Sequence, residues 1–336
     1  MKLGQLLKKK ISEWNEKTKR LFAYEEKDFV SLDLGARYLK GALVKDGKIG
    51  ELFIEKKGES ASAIDFLESK GIHSKEVKFA IKGPETLIRY IPFPKVEKSK
   101  LKEIFGYELS KYIPFSSEDV YFDISLLDEN YSKDEFLILL AAAKKELIDS
   151  ILSPFRERRV EVKEISLNNL ALLNLFFHCK EKKASNTAII DLGFSSTLLN
   201  LVKGEMPYLS REIKVGCFHL IEKISLVKNL SHDKAEEWLV TSSGVDELIK
   251  IGEEPLWELS REVKSSLDYF EMNVGENVEE FYLTGGASSV ESVREAISKS
   301  LGVKLILWEA AKTLDIKAKS FSFPLQMFST VIGLSL

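Results

Sequence analysis

Phe29-Val30-Ser31-Leu32-Asp33-Leu34-Gly35 decides the fold, because its ending returns as Asp191-Leu192-Gly193 and Leu-Val-Lys follows both copies at one distance, as 43–45 and 201–203. In each copy an apolar run, Phe29 to Leu34 or Thr187 to Leu192, enters the acidic residue, and a second β-rich run leaves the glycine. Each is expected to be a strand, tight turn, strand hairpin. Glycine at such a turn lets backbone approach a ligand without an intervening Cβ, and successive N–H groups can converge on phosphate oxygens. Either Asp-Leu-Gly alone is ordinary strand-end punctuation. The matched pair points instead to one phosphate-binding unit used twice. Mg²⁺ keeps several waters and needs few protein ligands, so Asp33 and Asp191 facing each other form its candidate site.

A third element agrees. Glu280 to Thr284 is expected to be a strand entering Gly285-Gly286-Ala287, and Ser288 to open a helix with Val290, Val293, Ile297 and Leu301 on one face. Ser288 with Glu291 fits a capping box, and Gly302 fits the helix end. A glycine turn at a helix start is a natural nucleotide cradle.

The remaining sequence sets bounds. A chain of 336 residues suits two domains meeting at a cleft. The net charge of −3 gives no drive toward nucleic acid. Cys179 and Cys217 show neither metal spacing nor a disulfide framework, and no signal peptide is evident, so a reducing cytoplasm is expected. The 30% of charged residues, with Gln5 and Gln326 the only glutamines, fits a heat-loving source. His73, His178, His219 and His232 are scattered without partners at a telling spacing.

Residues 28–92 are expected to alternate strands and turns, with Asp46-Gly47 closing a hairpin. A helix over Lys98 to Lys111 carries Leu101, Ile104, Phe105 and Leu109 on one side. Strands Val120 to Leu127 and Glu135 to Ala141 follow, then a helix from Lys144 to about Leu152 ended by Pro154. Another helix spans about Ser166 to Phe177, Lys180 to Ser185 is a polar joint, and residues from Gly216 to about Gly275 are mainly helical. Within the first 22 residues, Leu3, Leu7, Ile11, Trp14 and Leu21 lie at helical spacing amid seven Lys and Arg, a pattern that can lie on anionic lipid.

Two Asp-x-Gly hairpins and a late Gly-Gly turn resemble the phosphate-1, phosphate-2 and adenosine motifs of the actin-like ATPase superfamily. Within it the chain is similar to the PilM family of type IV pilus assembly, with the division protein FtsA as a relative. The likeness runs from about Asp28 to the last residue. It includes Lys40, Tyr90-Ile91-Pro92-Phe93-Pro94, Tyr112-Ile113-Pro114-Phe115, Ser195-Ser196-Thr197, Ser210 to Ile213 with Gly216, Leu283 to Gly286, and Val331 to Leu334. The resemblance implies an α/β, actin-like fold of two RNase H-like domains flanking a nucleotide cleft. It implies a first domain over 26–185 with an inserted 1C subdomain at about 95–163; the basic amphipathic helix expected at 1–25 from its residue spacing is a departure from the family. The second domain would span 186–336, with a cap at about 214–276 and a C-terminal helix at about 325–336 returning to the first.

The implied ligand is ATP with Mg²⁺. The nucleotide-binding residues would be Gly35, Ala36, Arg37, Lys40, Gly193, Phe194, Ser195, Ser196, Thr197, Gly285, Gly286, Ala287 and Ser288, with Asp33 and Asp191 at the metal. The family often has serines where Ala36 and Arg37 stand, so the first loop loses hydroxyl donors and Arg37 would compensate by charge. Ala287 replaces a frequent glycine near the adenosine. No water-orienting group can be named, and the resemblance implies ATP binding with at most weak hydrolysis. The implied partner is the N-terminal tail of a PilN-like inner-membrane protein, in a groove walled by Tyr90 to Phe93, Tyr112 and Phe115, at the inner face of the membrane. Self-association is left open. An FtsA-like division protein and a small-molecule kinase of the same superfold are the alternatives, but no C-terminal amphipathic anchor, substrate base or P-loop is visible.

Overall fold

A computed structural model describes residues 28–60, 62–179, 185–241, 244–312, 314, 316 and 323–336. The basic segment at 1–25 and most of the joint at 180–185 lie outside the described residues.

Strands β1 (Asp28–Leu34), β2 (Tyr38–Lys45) and β3 (Lys48–Lys56) form an antiparallel meander. Asp46 and Gly47 close its second turn with φ of 49° and 69°, the left-handed pair that Asp-Gly adopts readily. Helix α1 (Ala63–Ser69) then leads to β4 (Glu76–Ile81), parallel to β1. This helix was not among the expected elements. It starts at Ser62, whose hydroxyl accepts from the Asp65 N–H, and it buries Ile64, Phe66 and Leu67.

Next come β5 (Thr86–Pro94), α2 (Leu101–Glu108), β6 (Val120–Asp128) and β7 (Glu135–Lys144), whose strands form a separate sheet of order β5-β7-β6. Pro92 and Pro94 are tolerated because β5 is an edge strand. Helix α2 is shorter than the expected span and continues at both ends as single 3₁₀ turns, with Leu101, Phe105 and Leu109 buried on one face.

Helix α3 (Lys145–Glu157) does not stop before Pro154 as expected. Pro154 removes one backbone donor, but Phe155 in the last turn is buried edge-on against Phe79 at 4.8 Å, which holds the turn in place. Strand β8 (Glu161–Leu167) rejoins the first sheet beside β4, and α4 (Asn168–Cys179) follows.

The second half repeats the first. Strands β9 (Thr187–Leu192), β10 (Thr197–Lys203) and β11 (Met206–Ile213) form a meander. Helices α5 (Cys217–Lys228), α6 (His232–Thr241), α7 (Val245–Ile251) and α8 (Glu253–Val274) precede β12 (Glu280–Thr284), α9 (Glu291–Leu301), β13 (Leu305–Leu307) and α10 (Ser329–Leu334). The two large sheets have orders β3-β2-β1-β4-β8 and β11-β10-β9-β12-β13, with the same parallel and antiparallel pairings. This duplicated, mixed-sheet arrangement is the actin-like ATPase fold.

An apolar layer joins the halves. Leu172, Leu175 and Phe176 of α4, with Val331 and Ile332 of α10, fill the space between Ala42 and Leu52 of the first sheet and Ile189, Leu198 and Val202 of the second. Burying each large side chain contributes about 2 kcal/mol. The contact is close: a Cβ on Gly333 would lie 1.9 Å from the Ala171 carbonyl oxygen, and the Asn174 amide donates to the Gly333 oxygen at 2.7 Å.

Candidate functional site

The antiparallel register sets Asp33 opposite Lys40, on neighbouring strands and one face of the sheet. Their side chains form an ion pair at 2.5 Å, and Asp33 is only 3% exposed. The amide of Asn168, first residue of α4, donates to the other Asp33 oxygen at 2.9 Å. Both carboxylate oxygens are therefore engaged. Burial works against the Lys40 ammonium, but Asp33 and then Asp191 hold its proton affinity above the ordinary lysine value.

Asp191 has the opposite surroundings. It lies at the end of β9 opposite Leu198, with Thr284 beside it on β12. Among the described residues it accepts no hydrogen bond and has no cation within ion-pair distance. Burial raises its pKa, Lys82 and Lys40 oppose this, and Asp33 adds to it. Two aspartates from the duplicated hairpins and two lysines from the first half thus share one electrostatic site.

The glycines of the motifs are set by contact. A Cβ at Gly35 would meet the Tyr38 oxygen at 2.5 Å, and one at Gly193 would meet the Ser196 oxygen at 2.6 Å and the Lys82 ammonium at 2.9 Å. Gly285 has φ of 95°, and its Cβ would lie 2.5 Å from the Asp191 carboxylate. The Gly193 N–H is used within the turn, donating to the Asp191 and Ser196 carbonyls. Ser196 donates to Glu212 at 2.5 Å, buried Thr197 to the Val215 carbonyl at 2.6 Å, and Ser288 to the Gly285 carbonyl at 2.7 Å. Ser288 therefore does not cap a helix: Gly286 to Ser289 form a 3₁₀ turn, and α9 begins at Glu291 behind Val290. Ala36 and Ser195 are exposed, Gly286 faces Met327, and Ala287 packs on the apolar core of the second half.

Arg37 is turned to carboxylates. Its guanidinium pairs with Asp233 at 3.2 Å and with Glu236, both on α6 of the second half, and lies 5.3 Å from the Phe194 ring centroid. Lys56 reaches the same Asp233 at 3.4 Å. Two cations of the first half thus clasp two carboxylates of the second.

A buried polar file starts beside Asn168. The Asn169 amide donates to Asn200 Oδ1 at 3.1 Å, Ser210 donates to that oxygen at 2.5 Å, and the Tyr90 hydroxyl of β5 lies 2.8 Å from Ser210 Oγ. Sequence reasoning missed Asn168, Asn169 and Lys82. A consecutive pair of amides opening the otherwise apolar helix Asn168–Cys179 was a legible signal, whereas a lysine after an apolar strand is not. Of the histidines, His219 accepts from the Gly216 N–H at the start of α5, His232 packs edge-on against Phe218, and His73 and His178 are exposed.

The expected groove walls are largely core. Ile91 and Phe93 are buried, and Tyr112 stacks on Phe105 at 5.2 Å. An open cavity of about 530 Å³ lies nearby, bounded by Lys82, Leu87 and Ile88, by Asn169, and by Ser196 and Arg211.

The model of the family described as type IV pilus assembly protein PilM matches residues 36–336. The chain belongs to the PilM family. Among solved structures, a PilM–PilN type IV pilus biogenesis complex is similar, with TM-score 0.76 and 22% identity over 91% of this chain and 97% of that one. Ethanolamine utilization protein EutJ from Carboxydothermus hydrogenoformans is more distant, at TM-score 0.51 and 11% identity over 91% and 88%. No curated protein matches the sequence. Among the described residues, this PilM-family chain has no helix long and apolar enough to cross a membrane.

Proposed function

We propose that this chain is an ATP-binding scaffold of type IV pilus assembly that takes the N-terminal tail of a PilN-like inner-membrane protein. The observation that carries the nucleotide reading is the meeting of Asp33, Lys40, Asp191 and Lys82 at turns where glycines 35, 193 and 285 leave no room for a side chain. Mg²⁺ suits this donor set. Asp191 is the carboxylate left without a partner, Asp33 orients Lys40, and no group of three His, Cys, Asp or Glu side chains among the described residues would strip the ion of its waters. ATP bound there supplies the negative charge that Mg²⁺ and the lysines neutralise. Ser195 and the backbone of the two turns would border its phosphates, and Gly286 and Ala287 its adenosine.

In this reading the halves correspond to domains 26–185 and 186–336, the three-stranded sheet to the 1C insertion, which then starts at β5 (Thr86–Pro94) ahead of the expected 95, and α5–α8 to the cap. The support for a PilN-like partner is family membership together with the PilM–PilN complex, whose fold this chain shares. Leu87 and Ile88, on a cavity otherwise lined largely by polar groups such as Arg211, Glu212 and Lys214, offer apolar contacts for a short extended tail, which would place the protein at the inner face of the membrane. Calorimetric titration with MgATP on wild type and Asp191→Ala tests the first part: the wild type binds and the variant binds at least about tenfold more weakly. Equal affinities would remove the metal assignment. Fluorescence anisotropy with a labelled PilN-like tail tests the second, with binding expected to be lost in Ile88→Glu.

A further inference from the structure

The two lysines at the site are not equivalent. Lys40 is held by Asp33 at 2.5 Å and is a built-in counter-ion. Lys82 follows β4, is partly buried, and among the described residues has neither a carboxylate within 4 Å nor a hydrogen bond. With no carboxylate in reach, the ammonium keeps its three donors for a ligand. Its position is specific. The ammonium lies 2.9 Å from where a Gly193 Cβ would be, so it rests on the glycine of the opposite half's phosphate turn. It is also the largest charge opposing the effect of burial on Asp191. Ser195 and Ser196 line the same cavity as Lys82.

We infer that Lys82, rather than Lys40, is the lysine that contacts the terminal phosphate of the bound nucleotide, reaching it across the cleft from the first half. This rests on the nucleotide reading above and adds to it a reason for distinguishing ATP from ADP. An oxyanion over the Gly193 turn would give Lys82 the partner it lacks, and a nucleotide without the terminal phosphate would leave it unpaired. Charge-assisted contacts of this type are about twice as strong as neutral ones.

The test compares MgATP and MgADP by calorimetry on wild type, Lys82→Met and Lys82→Arg, with thermal melts of the unliganded proteins. Lys82→Met is expected to lose about tenfold or more in ATP affinity and less than about threefold for ADP, with Lys82→Arg recovering most of the loss. Amine acetylation of the wild type, read by peptide mass, gives a second measure that needs no variant: MgATP protects Lys82 and MgADP does not. Equal losses for the two nucleotides, no loss, or equal labelling of Lys82 would overturn the assignment and leave ATP binding standing. A wild type that binds neither nucleotide overturns the function itself.

Discussion

Asp33 and Asp191 share a motif but have opposite energetic roles. Asp33 is saturated by Lys40 and Asn168, so removing the cation strands a buried charge. Lys40→Met is therefore expected to destabilise the chain by about 3 kcal/mol, measured by urea unfolding. Asp191 has its pKa raised by burial, so the folded chain holds that proton more tightly than the unfolded one. This contribution to stability is fully present below the ordinary carboxylate value of 3.8 and is lost as pH rises through the raised folded value. At neutral pH Asp191→Asn should accordingly raise the melting point of the ligand-free protein, by about 1 kcal/mol of stability, while weakening MgATP. A flat or lower melting point would contradict the proposed burial penalty. The repeat made both aspartates legible in the sequence. The difference between them was not legible, because it comes from Asn168 and Lys82, which are distant in sequence and meet the hairpins only in the folded chain.

Elements with strong periodicity or turn chemistry were readable. The Asp46-Gly47 hairpin, the apolar face of α2 and the strand Glu280–Thr284 all follow from local pattern. Where tertiary contact outweighs a local rule, the reading failed. Phe155 carries α3 past Pro154, and Ser288 satisfies the Gly285 carbonyl instead of starting a helix. The short helix α10 depends most on such contact, since six residues of helix are not stable alone. Gly333→Ala would drive a methyl into the Ala171 carbonyl and is expected to cost about 3 kcal/mol by thermal unfolding. A cost near zero would mean that α4 and α10 are not packed this closely.

At the scale of the molecule, the halves are joined by an apolar layer at one level and by the Arg37 and Lys56 clasp on α6 at another. Asp233 is exposed, so its pairs with Arg37 and Lys56 are weak and screened by salt, whereas the Arg37–Glu236 pair is less exposed and carries more of the clasp. Arg37→Ala should shift the closed population by about fivefold, seen as faster release of a fluorescent ATP analogue, with the wild type approaching the variant at high salt. Identical release rates at low salt would show that the clasp does not hold the halves together. The file from Asn169 through Asn200 and Ser210 to Tyr90 behaves differently, because its members are uncharged and salt does not screen them. No member can slip without leaving a neighbour's hydrogen bond unmade. Helix α4, the second large sheet and the three-stranded sheet are therefore geared: torque applied to α4 should turn the Tyr90 strand by a whole notch, and amide exchange along β5 should change in a single cooperative step when nucleotide is added.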